Sequence, residues 1–155
     1  MTQAIVAASI VVAALNAASG LIGGWFWYRG GRGDGRWASA FWLMLRVGQG
    51  SALMLAVAVG SLAAAGKRPS DDLFYLYALL PLAVAFVAEQ LRVTSAQTIL
   101  DQQGLEDAQA VGGLPEGEQQ ALLAAVLRRE MGVMALSALV VVFLALRAAG
   151  TAHGF

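Results

Sequence analysis

The chain has 155 residues, 59% of them hydrophobic and only 13% charged, about half the charged share of a soluble domain. A soluble domain of this size has too much surface to cover with so few charges, and so apolar a chain is not a disordered one. Ten basic and ten acidic residues give a net charge of +0, which leaves no global field to steer a nucleic acid. Cysteine is absent and His153 is the single histidine, which excludes disulfides, thiolate metal centres, iron–sulfur clusters, thiol catalysis and bis-histidine haem.

Four apolar stretches reach the length of about 20 residues that a bilayer crossing takes. They cover approximately residues 4–28, 37–65, 72–93 and 129–148. None alternates with period 2, as the strands of a barrel would, so all four are read as helices. The expected fold is all-α, an integral membrane four-helix bundle in up–down order, forming one membrane domain over residues 1–155. The first stretch lacks a positive n-region and stays apolar past Ala17, Ala18 and Ser19, so it reads as a span and not as a cleaved signal peptide.

Residues 29–36 carry four glycines, more than a helix interior would hold, and separate the first two helices. Residues 66–70 (GKRPS) end the second helix. Ser70 is the N-cap candidate of the third, and Asp71 and Asp72 complement its dipole. Residues 112–115 (GGLP) break the chain again, with Pro115 suited to a first helical turn and Glu116 and Glu118 following.

The third and fourth helices outrun the membrane. Residues 94–103 lack Gly and Pro, and the fourth helix starts near Pro115. Each would reach roughly 50 Å at 1.5 Å per residue, against a hydrocarbon core of about 30 Å. The excess is expected to form a cytoplasmic helical hairpin over residues 94–128. Its seam would set Val93, Ala96 and Leu100 against Leu123, Val126 and Leu127, and its acidic tip would carry Glu106 and Asp107. Basic residues set the orientation. Arg29, Arg32, Arg36, Arg92, Arg128 and Arg129 mark the hairpin end, against Lys67, Arg68 and Arg147 at the other. Both termini are therefore expected outside. Trp25, Trp27, Tyr28, Trp37 and Trp42 fit an aromatic belt at the inner face, and Phe74, Tyr75 and Tyr77 one at the outer face.

A charge inside a span is a functional hypothesis by default. Arg46 and Glu89 fall at similar depth on antiparallel helices, which predicts an ion pair. Gln49 lies one turn from Arg46, and Arg92 one turn from Glu89, so both can join it. Arg129 and Glu130 arrive near the same level on the fourth helix, and Asn16 lies deeper on the first. This intramembrane polar cluster of Arg46, Gln49, Glu89 and Arg92 has two readings. One is a pair that fixes helix register while Arg46 snorkels; the other is a proton or solute pathway built on Glu89. A transporter normally needs a charge that it can leave unpaired during turnover, and Glu89 has two arginine neighbours, so the structural reading is the stronger. Gln90, Thr94, Gln97 and Asp101 form a polar stripe, either a solvated face or a docking surface. Pro81 predicts a kink in the third helix. Gly48, Ala52, Ala56, Gly60 and Ala64 make a helix-packing ridge on the second helix, and Gly20 and Gly24 stand in GxxxG spacing on the first.

Residues 31–35 imitate a phosphate loop, but no strand precedes them and no Lys-Ser/Thr follows. His153 has no carboxylate or thiolate nearby, so neither a metal site nor a catalytic triad is expected around it. No catalytic, cofactor-binding or metal-ligating residue is expected, and no nucleic-acid partner.

Nine arginines against one lysine, with heavy Ala, Gly, Leu and Val usage, mark a high-GC genome. Residues 79–92 (LLPLAVAFVAEQLR), 95–97 (SAQ) and 128–135 (RREMGVMA) resemble small four-helix membrane proteins widespread in actinobacteria. That resemblance implies a bacterial plasma membrane and brings no chemistry with it. The function expected is that of a non-catalytic accessory or stabilising subunit of a larger plasma-membrane complex, with respiratory assemblies as one setting. Its partners would be the lipid bilayer and other membrane subunits. The alternative is a small homo-oligomeric transporter or channel with Glu89 in its pathway. Because the chain has no native cysteine, single cysteines at positions 2 and 110 report topology cleanly. An impermeant thiol reagent applied to whole cells should label Thr2→Cys and spare Ala110→Cys. Labelling at 110 would invert the orientation.

Overall fold

A computed structural model describes residues 2–30, 35–102, 104 and 112–154, the side chain of Ala96 excepted. Among these residues all regular structure is helical: α1 (Thr2–Tyr28), α2 (Gly35–Ala64), α3 (Leu73–Gln102) and α4 (Glu116–Thr151). All four are long and apolar enough to cross a membrane. The 36 residues of α4 rise about 54 Å. The acidic tip with Glu106 and Asp107, and the basic turn at Arg32, lie outside the described residues.

The helix ends follow local chemistry. Asp71 Oδ1 accepts a hydrogen bond from the Leu73 N–H at 2.9 Å, the geometry of an N-cap. Ser70, the expected cap, instead donates its backbone N–H to the His153 carbonyl at 2.8 Å. That bond ties the α2–α3 turn to the C-terminal tail, where Ala152 is fully buried. The side chain of His153 stays exposed. At the other end Gln119 Nε2 donates to the Leu114 carbonyl at 2.7 Å, fastening the turn to the first turn of α4. Glu116 and Glu118 stand in that turn, where the helix dipole favours them.

Neighbouring helices run antiparallel. Asn16 of α1 meets Gly48 of α2, and Gly23 meets Phe41. Gly20 of α1 meets Leu139 of α4, and Trp27 meets Gly132. α4 also packs along α3, whereas α2 and α3 touch more lightly. The buried positions repeat with alternating steps of three and four. On α1 they include Ile5, Ser9, Val12, Asn16, Ser19, Gly23 and Phe26; on α2, Phe41, Leu45, Gly48, Ala52, Leu55 and Val59. On α3 the same rhythm takes Phe74, Ala78, Pro81, Ala88, Ser95 and Ile99. A mean step of 3.5 residues is the repeat of a left-handed coiled-coil seam. The interior divides into two apolar clusters. One holds Ile5, Val59, Phe74 and Ala148 near the chain termini; the other holds Phe26, Phe41, Ala88 and Met131 toward the hairpin.

This rhythm bears on four expectations. The ridge Gly48, Ala52, Ala56, Gly60, Ala64 is buried only as far as Ala56. Each four-residue step turns about 40° around the helix, so Gly60 and Ala64 have rotated out of the seam. By the same rotation the crowded α1 glycines are Gly20 and Gly23, while Gly24 has no neighbour within 4 Å of where a Cβ would stand. Phe74 belongs to the core and not to an interfacial belt, because it occupies a seam position. Over the end of α3 and the start of α4, the expected hairpin seam, Val93 is 66% and Leu123 62% exposed, and the buried ones among the described residues are Ser95, Ile99 and Leu122. Leu100, Val126 and Leu127 are half-buried. The seam there continues the 3–4 rhythm from Ala88, which passes Val93 by.

The glycine contrast is testable. A Cβ on Gly23 would run into the Phe41 ring and stand 2.9 Å from Ala135 Cβ, and Phe41 is fully buried. Gly23→Ala should destabilise by about 1–3 kcal/mol through overpacking. Gly24→Ala should be neutral, or stabilising by up to about 1 kcal/mol, since alanine suits a helix interior better than glycine. Unfolding in mild detergent followed by circular dichroism measures both. Equal losses in the two variants would contradict the packing described.

Candidate functional site

The polar groups of the spans collect into two sites. The first is a chain of charges across α2, α3 and α4. Arg46 Nη1 donates to Glu89 Oε1 at 2.6 Å and to Gln49 Oε1 at 2.7 Å. Gln49 Nε2 also reaches Glu89 Oε1, at 3.4 Å. Arg92 Nη1 donates to the other carboxylate oxygen, Glu89 Oε2, at 3.2 Å. Glu89 is thus shared between two guanidinium groups, one on each oxygen. Arg92 in turn places its Nε 3.7 Å from Glu130 Oε2. Two arginines and two glutamates alternate and cancel, as charges within a span must where water cannot hydrate them.

Local sequence explains the convergence. Arg46 and Gln49 are three residues apart on α2, and Glu89 and Arg92 three apart on α3, so each pair shares a helix face. Arg92 falls in the α3 seam, seven residues before Ile99 in the 3–4 rhythm, which directs it toward α4 and Glu130. Its guanidinium lies 4.9 Å from the Trp42 ring centroid, and Trp42 packs edge-on against Phe41 at 5.1 Å. The side chain of Arg46 is 52% exposed and that of Glu89 30%. The cluster therefore opens outward between α2 and α3, the lightly packed neighbours.

All four residues of the expected cluster meet in this site. Two further residues belong to it. Trp42, an aromatic-belt residue by sequence, stands one turn from Arg46, and that spacing is the signal for its place here. Glu130 takes the level expected of it and finds Arg92 as its partner, while its neighbour Arg129 does not join. One residue turns the helix by about 100°, and Arg129 faces a groove bordered by α1 and α4.

The second site is the buried amide of Asn16. Its Nδ2 donates to the Val12 carbonyl at 2.9 Å and to the Gly48 carbonyl on α2 at 3.4 Å. Gly48 leaves room for it, since a Cβ there would stand 3.1 Å from the amide. Ser19 Oγ donates to the Leu15 carbonyl at 2.9 Å, and Ser9 Oγ is buried without a hydrogen-bond partner. The polar stripe Gln90, Thr94, Gln97 and Asp101 is exposed along its length, with Gln97 Nε2 donating to Asp101 Oδ1 at 3.2 Å. Pro81 is buried within a continuous α3. Among the described residues no group of three His, Asp or Glu side chains has the geometry to hold a metal ion.

Chemically, these sites hold charge and hydrogen bonds in place. The carboxylates of the cluster are already engaged by arginine, and among the described residues no hydroxyl or imidazole bonds to them. No family model, curated protein or solved structure matches the chain.

A double-mutant cycle on Arg46→Gln and Glu89→Gln measures the pair directly. Each single variant should lower stability in detergent, and the coupling between them should be about 1–2 kcal/mol, the size of a charge-assisted hydrogen bond beside a half-exposed arginine. Strictly additive losses would show that the two side chains do not interact.

Proposed function

We propose that this protein is a non-catalytic integral membrane subunit that stabilises a larger complex in a bacterial plasma membrane. In this reading the four helices form an up–down bundle, both termini lie outside, and the α3–α4 hairpin stands in the cytoplasm. The observation that carries the proposal is the outward opening of the charge cluster between α2 and α3. A guanidinium half-exposed within an apolar span is costly against lipid. A partner helix laid over α2 and α3 removes that cost and completes the hydrogen bonding of Arg46. The flanking surface suits such a helix, since Leu43, Val47 and Phe86 are exposed on these two helices. The exposed hairpin stripe from Gln90 to Asp101 extends the same contact beyond the membrane. Neutral pairing within the cluster agrees with a structural role, because it leaves no carboxylate unpaired to carry a proton or cation across.

Native mass spectrometry after gentle solubilisation of the source membrane tests the proposal. The chain should be recovered with at least one different membrane polypeptide. Arg46→Leu combined with Glu89→Leu should reduce that recovery more than tenfold while the chain remains in the membrane. Recovery as a clean monomer would contradict the proposal. Recovery as a homo-oligomer would instead favour a transporter or channel with Glu89 in its path.

A further inference from the structure

A groove of about 840 Å³ runs along α4, bordered by α1 and, at its hairpin end, by Ile99 and Gln102 of α3. Glycines form much of its floor. Nothing lies within 4 Å of a Cβ position on Gly24, and the Trp27 indole stands against Gly132. Leu136, 65% exposed, and Leu139 form its apolar wall. Along α4 the groove is lined from Ala125 to Leu139, about 21 Å at 1.5 Å per residue, and the part beyond Arg128 toward Leu139 covers about 16 Å. That is about half of a hydrocarbon core of about 30 Å, the depth of a single leaflet. A transmembrane partner helix would need a face running the full thickness.

The groove is polar only at its hairpin end, where Arg128, Arg129 and Gln102 line it. Arg128 Nε donates to the Trp27 carbonyl at 3.2 Å, and its guanidinium lies 5.4 Å from the Trp27 ring centroid. These contacts hold one positive charge at the groove mouth. Among the described residues neither Arg128 nor Arg129 forms an ion pair, and no carboxylate lines the groove. Two unbalanced guanidinium groups above a leaflet-deep apolar trough match an anionic headgroup above an acyl chain.

We infer that this groove binds one anionic phospholipid from the leaflet on the hairpin side. Arg128 and Arg129 hold its phosphate, and one acyl chain lies over Gly24 and along Leu136 and Leu139. The inference goes beyond the accessory-subunit reading and rests only on the chain being embedded in a membrane, so loss of a protein partner would leave it intact.

The test uses the purified full-length chain in mild detergent, titrated with phosphatidylglycerol or with phosphatidylcholine of the same acyl chains. Native mass spectrometry reads the bound lipid. Phosphatidylglycerol should be retained at least tenfold more strongly, and Arg128→Gln with Arg129→Gln should abolish that preference. Gly24→Leu fills the trough without touching the packed interior. It should lower phosphatidylglycerol retention severalfold while leaving the thermal midpoint unchanged. A charge-matched control, Lys67→Gln with Arg68→Gln at the opposite end, should retain the preference. Equal retention of the two lipids by the parent chain would overturn the inference. So would a preference that survives removal of both arginines, a preference lost equally in the control, or undiminished binding in Gly24→Leu.

Discussion

Helices in lipid gain little by hiding leucine from hydrocarbon, so their association depends on how closely backbones can approach. In this protein that constraint falls on α1. Its seam is built from Ser9, Ala13, Asn16, Ser19, Gly20 and Gly23, all buried. The absence of a side chain at Gly20 admits Leu139, and at Gly23 it admits both Phe41 and Ala135. α1 thereby brings α2 and α4 into close contact on its two sides. Asn16 then fixes the register of α2 through the Gly48 carbonyl. A slip of one turn would break this interhelical bond and leave one of the two amide N–H donors without its partner, while the other stays on the Val12 carbonyl.

The charge cluster is a consequence of that arrangement. Because α2 is held by α1, and α3 by α4, the α2–α3 contact is the lighter one. Long polar side chains occupy the gap that small residues do not close. Arg46, Glu89, Arg92 and Glu130 bridge three helices with no net charge. The arginines also lie over aromatic rings: Arg29 over Trp25, Arg92 over Trp42, Arg128 over Trp27 and Arg147 over Tyr77. Such stacking stabilises a cation where hydration is thin. It also places the amphipathic rings and the charges at common levels, so that the chain's polar groups reinforce its depth in the bilayer.

The helix boundaries and the Arg46–Glu89 pair were legible in the sequence, because Gly, Pro and acidic residues punctuate the chain and two charges within apolar runs can be compared by depth. The packing faces were harder to read. A soluble helix separates apolar and polar sides, and its buried face can be read from that contrast. Here both sides of each span are apolar, so Leu55 and Leu53 look alike in sequence although one is buried and the other exposed. A fixed step of four passes from the buried Gly48, Ala52 and Ala56 to the exposed Gly60 and Ala64, because it winds around the helix surface. Alternating steps of three and four keep to the seam, and they separate Gly23 from Gly24 and Ile99 from Leu100. Charges near one level are also ambiguous in azimuth: Glu130 turns toward Arg92, while its neighbour Arg129 lines a groove bordered by α1, α3 and α4.

The central claim is that the intramembrane charges form a fixed clasp joining α2 to α3. Solid-state NMR of the protein in lipid bilayers, with ¹⁵N-labelled arginine and ¹³C-labelled glutamate, tests it most directly. A dipolar contact between the Arg46 guanidinium and the Glu89 carboxyl, removed by Arg46→Gln, is the expected result. An ordered Glu89 carboxyl with no arginine contact in lipid would contradict the clasp.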